Sequence, residues 1–151
     1  MLSKTHILAG LIVGIILIES FTFSHPYLFL IIFTIFSIMP DIDSSHSKVG
    51  RKLWPISALI ELILGHRGIM HSIFIPLIIL GFSWYYGYLW IGYAAAGGYT
   101  VHLLTDAMTR GGVSFLGPFG HRSKGILRTG GILEAILFLA LFALLLKLVL
   151  S

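Results

Sequence analysis

The sequence predicts an all-α, polytopic bundle of membrane helices that forms a single domain over residues 1–151. Two observations favour this class. Hydrophobic residues make up 57% of the chain, charged residues only 11%, and the mean hydropathy is +0.98, whereas a soluble domain of this size needs far more charge to cover its surface. Long apolar runs also alternate with short polar loops, which is the pattern of an integral membrane protein.

Five apolar runs are long enough to form membrane helices, and a sixth run is shorter. Pro26 suits the first turn of the second helix, with Ser24 as its cap, and Pro40 ends that helix. A turn near Gly87 separates the third helix from the fourth. Residues 53–64 are too few to span a bilayer, so we expect a short interfacial helix there. The five long runs are 5–23, 26–39, 69–86, 88–108 and 131–150.

Lysine and arginine are distributed unevenly between the two faces that five crossings would create. Nine of the ten fall on the side of the N-terminus, and only Lys147 lies near the other side. Because positively charged loops stay in the cytoplasm, we expect a multi-pass inner-membrane protein with a cytoplasmic N-terminus. The same rule explains the net charge of +4 without nucleic acid. The nine Lys and Arg residues on the N-terminal side are Lys4, Lys48, Arg51, Lys52, Arg67, Arg110, Arg122, Lys124 and Arg128.

The second apolar run is short, so the alternative to a full crossing is a helical hairpin that enters the bilayer only partly.

Stripes of small residues lead to polar residues on the first and fourth helices. His6, Gly10 and Gly14 recur every four residues and therefore share one face of the first helix. Small residues let membrane helices approach closely. If the two stripes pack together, His6 meets His102 and Asp106 at the cytoplasmic end. The small residues of the fourth stripe are Ala94 and Gly98.

Seven ionisable residues lie at the ends of apolar runs on the predicted cytoplasmic side. Such groups are costly there unless they are paired or bound to a metal. His102 and Asp106 are four residues apart and leave one helical face. Asp41 and Asp43 follow Pro40 on a non-helical segment, where alternate residues point the same way. The seven candidate metal ligands are His6, Asp41, Asp43, His66, His71, His102 and Asp106.

Glycines interrupt the segment that contains two of these histidines. Gly65 and Gly68 would place His66 in a turn and His71 in the first turn of a helix, leaving Arg67 free to face an anion. Seven ligands exceed the need of one tetrahedral ion, so the set predicts two ions that share a carboxylate. The chain has no cysteine, and imidazole with carboxylate favours zinc, manganese or iron over magnesium or calcium.

Simpler interpretations stay open for individual residues. The stripes could serve helix packing alone, and Asp41 and Asp43 could merely end a helix and face water. Glu134 is expected to stabilise a helix N-terminus through the macrodipole, or else to be an extra ligand. Lone histidines at a membrane end are usually interfacial polar residues. That interpretation applies to His25, His46 and His121.

Four short motifs follow one another between residue 5 and about residue 120. They are Thr5-His6, Pro40-Asp41-Ile42-Asp43, His66-Arg67-Gly68-Ile69-Met70-His71-Ser72 and His102-Leu103-Leu104-Thr105-Asp106. Their order resembles the YdjM-type family of bacterial and archaeal inner-membrane proteins, which are described as metal-dependent hydrolases. That family is thought to be distantly similar to zinc-dependent phospholipase C, a helical enzyme that cleaves phosphodiesters with several zinc ions. The resemblance implies zinc as the metal, with manganese or iron as alternatives, and a phosphoester substrate.

The function expected from this pattern is metal-dependent hydrolysis by an activated water. Arg67 and Asp43 are the candidate catalytic residues, and Arg67 would neutralise phosphoryl charge, with Arg110 or Lys48 as helpers. A site at the bilayer surface favours an amphiphilic substrate, such as a lipid or lipid phosphate.

The main alternative to a hydrolase is a metal-ion or proton carrier, although carriers usually place their polar residues near the bilayer midplane. A structural or regulatory membrane protein is a third possibility. The oligomeric state stays open.

Overall fold

The structure is a computed structural model in which residues 1–43, 52, 54–55, 69–117 and 120–150 are described. None of these residues belongs to a β-strand, so the predicted all-α class is confirmed. Two isolated β-bridges fold the loop after the fourth long helix, one between Thr109 and Leu127 and one between Val113 and Ser123. The helices with both ends in the described ranges are α1 (Ser3–Ser20), α2 (Pro26–Phe36), η1 (Met39–Asp43), η2 (Ile69–His71), α3 (Phe74–Tyr85), α4 (Leu89–Ala107) and α5 (Ile132–Leu150), where η marks a 3₁₀-helix.

The second helix ends earlier than its apolar run. Pro26 stands in the first turn as predicted, but α2 stops at Phe36. At Ser37 the backbone N–H donates to Phe33 and the hydroxyl donates to the Thr34 carbonyl, which satisfies carbonyl groups left open at a helix end. The chain then tightens into η1, the 3₁₀-helix that contains Asp41.

The third helix begins at Phe74 rather than at residue 69, because the start of the run forms the separate turn η2. The Ser72 hydroxyl donates to the Ile69 carbonyl at 2.6 Å. The Ile73 N–H donates to the Phe115 carbonyl at 2.9 Å instead of to its own helix. This break gives His71 a direction that a continuous helix from residue 69 would not give it.

The fourth helix is central: α4 packs against α1, α2 and α3, and α5 packs against α1. The predicted small-residue stripes are used, but mainly against α2. A Cβ at Gly98 would overlap the Phe33 carbonyl, and Cβ atoms at Gly10 and Gly14 would overlap the side chains of Ser37 and Leu30. These glycines therefore admit α2 and the residue after it, while α1 and α4 also pack together and bring His6 to His102 and Asp106 as expected.

Replacing Gly98 with alanine is expected to destabilise the protein by about 1–3 kcal/mol, since the new methyl would force backbone apart. Gly81 is the matched control, because nothing lies within 4 Å of a Cβ built there. Gly81→Ala should leave stability unchanged or raise it slightly, since alanine is the better helix former. Thermal unfolding in one detergent compares the two variants. Equal unfolding temperatures would contradict the close α2–α4 contact.

Two of the described helices, α1 and α5, are long and apolar enough to cross a membrane. The apolar helices α2 and α3 are shorter; an 11-residue helix such as α2 is only about 16 Å long, against a hydrocarbon core of about 30 Å. The five-crossing topology, the orientation and the single-domain boundary therefore stay predictions. The expected interfacial helix at 53–64 lies, apart from residues 54–55, outside the described residues.

Candidate metal centre

Five of the seven predicted ligands come together at one end of the bundle. They are contributed by four separate elements. His6 comes from the first turns of α1, Asp41 from η1 and His71 from η2, while His102 and Asp106 come from the last turns of α4. The three histidines and Asp106 are fully buried, and the Asp41 side chain is 14% exposed.

The ligand atoms lie within a few ångströms of one another. The His102 Nε2 is 3.3 Å from the His71 Nε2 and 3.9 Å from one oxygen of each of Asp41 and Asp106. The His6 Nε2 is 3.3 Å from the Asp106 Oδ1, and the His71 Nε2 is 3.9 Å from Oδ2. Two triads have ligand atoms that are mutually within 4.8 Å, namely His6, Asp41 and His102, and His71, His102 and Asp106.

The hydrogen bond at the His102 Nδ1 fixes the tautomer of its neutral ring. Its Nδ1 lies 2.9 Å from the Ser37 carbonyl oxygen, which can only accept a hydrogen bond, so Nδ1 carries the proton. In the neutral ring Nε2 then presents a lone pair to the cluster. A backbone carbonyl on the second nitrogen is the usual support of a metal-binding histidine.

The same logic fixes His6. Its Nδ1 lies 2.8 Å from the Thr105 Oγ1. The Thr105 hydroxyl already directs its proton to the carbonyls of Val101 and His102, so Nδ1–H donates to Thr105. In the neutral ring the lone pair of the His6 Nε2 then faces the Asp106 carboxylate. The two rings also stack, with centroids 4.1 Å apart, which holds both Nε2 atoms in place.

The surroundings of the His6 Nε2 fit a cation. The buried His6 Nε2 forms no hydrogen bond within the described part of the chain, although it faces a carboxylate oxygen at 3.3 Å. The Met1 α-amino group contacts the Asp106 Oδ1 and supplies one positive charge. A buried lone pair opposite another acceptor is unfavourable unless a proton or a metal ion lies between them. The imidazole and carboxylate set matches the preference of zinc and similar ions.

Burial raises the pKa of the Asp41 carboxyl above its usual range, and the neighbouring Asp106 raises it further, while His6 and His71 oppose the rise. The Ser3 hydroxyl donates to its Oδ2 at 3.5 Å. A buried carboxylate whose ionised form is disfavoured gains most from a bound cation, since the cation replaces the lost hydration.

The other predicted site residues are not brought into this cluster by the described structure. His66, Arg67 and Lys48 lie outside the described residues, and only the backbone of Asp43 is described. Arg110 is exposed in the turn after α4. The exposed His25 and His121 belong to neither triad.

Sequence inspection missed the groups that orient the ligands. The Ser37 carbonyl leaves no trace in the sequence, because every residue carries one. Thr105 lies within the predicted His102–Asp106 motif, so a hydroxyl beside two ligands could have been singled out. The contact of the Met1 amine with Asp106 needed the fold.

Comparison with known proteins identifies the family. The family model described as YdjM inner membrane protein matches residues 1–151. The chain belongs to the YdjM inner membrane protein family. It is also 30% identical over 125 residues, covering 78% of this chain and 74% of the relative, to "Uncharacterized protein YvsG" of Bacillus subtilis (strain 168). No solved structure matches the chain.

The match confirms the resemblance stated from the four motifs, and it covers the whole chain. Membership together with the candidate spans α1 and α5 makes this YdjM-family chain an inner membrane protein. It also carries a His/Asp group that could hold a metal ion. The similarity to zinc-dependent phospholipase C stays a prediction.

Proposed function

We propose that this YdjM-family protein is a membrane-bound, metal-dependent hydrolase that cleaves a phosphoester in an amphiphilic substrate. One observation carries the proposal: buried imidazole and carboxylate acceptors from four elements face one another across 3.3–3.9 Å. Imidazole nitrogens and carboxylate oxygens grouped at these distances are the ligand set that zinc and similar ions bind in proteins.

The arrangement of Asp106 supports two divalent ions. Its Oδ1 faces His6, and its Oδ2 faces both His71 and His102. An imidazole nitrogen binds a single ion, whereas a carboxylate can bridge two. In the proposal His6 and Asp106 would hold one ion, and His71, His102 and Asp106 would hold the other. Asp41 lies beside both groups and can serve either.

When bound, divalent transition-metal ions supply Lewis acidity, which activates water as a nucleophile and stabilises developing negative charge. Zinc is the ion we expect, with manganese or iron as alternatives. The chain's own residues orient the ligands through Ser37 and Thr105 and exclude bulk water, since only Asp41 among the five ligands is partly exposed. Substrate would approach from the side of Asp41. Asp43 and Arg67 are proposed as catalytic helpers, and His66 is proposed as a further ligand.

An apolar groove supports the amphiphilic part of the proposal. A cavity of about 410 Å³ lies between α1, α3 and α4. Its lining is mostly apolar and includes Val13, Leu77, Ala96 and Gly97. Ile73, two residues after His71, also lines it. Such a groove suits a hydrocarbon chain whose polar head lies near the metal centre.

A paired assay separates the hydrolase from the carrier that could use the same cluster. Purified protein should release product from short-chain phospholipids or lipid monophosphates, and a chelator should stop the release until zinc is restored. Proteoliposomes containing the same protein should show no zinc-dependent flux above that of protein-free vesicles. Flux without hydrolysis would favour a carrier and contradict the hydrolase. His102→Ala is the matched negative control in both assays, since it removes a ligand shared by both triads.

A further inference from the structure

A second buried carboxylate, Glu134 at the start of α5, lies outside both metal triads. Its side chain is only 1% exposed. Its Oε1 accepts hydrogen bonds from the Leu2 N–H at 2.7 Å and from the Thr5 hydroxyl at 2.9 Å. Its Oε2 accepts a bond from the Gly130 N–H at 2.6 Å. Three donors from two distant parts of the chain therefore converge on one carboxylate.

The bond from the Leu2 N–H supplies what the start of α1 lacks. The first N–H groups of any α-helix have no partner within the helix, and Leu2 offers no side-chain cap of its own. Glu134 caps α1 from another helix, and its negative charge also favours the positive end of the α1 dipole. The Lys4 ammonium over the Phe138 ring, 4.6 Å from the centroid, adds a second contact between α1 and α5.

The capped turn is the turn that carries His6. Thr5 bonds to Glu134, and the next residue directs its Nε2 to the Asp106 Oδ1. A shift of this turn would move that nitrogen, while the other ligands come from η1, η2 and α4. We propose that Glu134 is a positioning residue that fixes the α1 terminus and so holds His6 in ligand geometry. The proposal rests on the metal site of the proposed function.

Cobalt is the probe, because the visible spectrum of bound Co²⁺ reports ligand geometry independently of stability. Metal-free wild type, Glu134→Ala, Glu134→Gln and Thr5→Val would be titrated with Co²⁺ in detergent. We expect Glu134→Ala to weaken Co²⁺ binding by about 10- to 100-fold, as for other residues that orient ligands, and to alter the spectrum with unchanged stoichiometry at saturation. Thr5→Val should shift affinity and spectrum in the same direction, because it removes one of the three donors. Glu134→Gln should restore part of the affinity, because its carbonyl keeps one acceptor.

The possible outcomes separate the two proposals. If wild type binds no Co²⁺, both the metal site and the positioning role fail. If wild type binds and every variant keeps its affinity and spectrum, only the positioning role fails. A lower stoichiometry in Glu134→Ala, with Thr5→Val unaffected, would make Glu134 a ligand and overturn the inference. Should Glu134→Ala not fold, the milder Thr5→Val decides, since a wild-type spectrum and affinity in that variant would overturn it.

Discussion

Asp106→Asn is expected to remove both metal ions from the purified protein and to abolish its hydrolytic activity. The substitution keeps the shape of the side chain but removes the charge and one of the two oxygens that face separate histidines. Because both proposed ions share this carboxylate, the loss of affinity should exceed the roughly 10- to 100-fold typical of changes outside the ligand shell. Elemental analysis after exhaustive dialysis against low zinc measures the metal content, which we expect to fall from about two ions per wild-type chain.

Single-histidine variants sharpen this prediction. His6→Ala should lose one ion and keep the one held by His71 and His102, while His102→Ala should lose the other. His25→Ala is the control, since this exposed histidine belongs to neither triad. Full metal content in Asp106→Asn would exclude the shared-carboxylate arrangement. Metal loss in His25→Ala equal to that in the ligand variants would show that the assay reads general damage.

Removing the metal from wild type is expected to lower its stability strongly. The proposed ions would connect α1, η1, η2 and α4, because each of these elements contributes at least one ligand. A ligand that binds only the folded state stabilises it by about 2.7 kcal/mol at 100 times its Kd and by about 4.1 kcal/mol at 1,000 times. The unfolding temperature in detergent should therefore rise progressively with free zinc and fall again with chelator.

His102→Ala provides the matched comparison for that titration. Its unfolding temperature should respond to zinc less than that of wild type, because the ion held by His71, His102 and Asp106 should be lost. Identical zinc responses in the two proteins would mean that the metal stabilises another part of the chain, and the candidate centre would lose its support.

The sequence predicted most of the helical segments because an apolar run long enough for a helix has few other ways to satisfy its backbone in a membrane. It also placed His102 and Asp106 on one face from their spacing of four, and the structure puts the His102 Nε2 3.9 Å from the Asp106 Oδ2. The helix ends predicted from the sequence were less accurate than the helices themselves. α2 ends early where the N–H groups of Ser37 and Ile38 turn to the carbonyls three residues back. α3 starts late because the Ile73 N–H bonds to Phe115 in a distant loop.

The sequence by itself determined the class of the protein, the set of candidate ligands and the family, because hydropathy and short motifs are local properties. Tertiary structure decided which ligand atoms face one another. It also decided that Ser37 and Thr105 set the histidine tautomers and that Glu134 caps α1 rather than joining a triad. These contacts join residues up to 132 positions apart. Their geometry depends on how α2 fits between α1 and α4, and no local pattern in the chain encodes that packing.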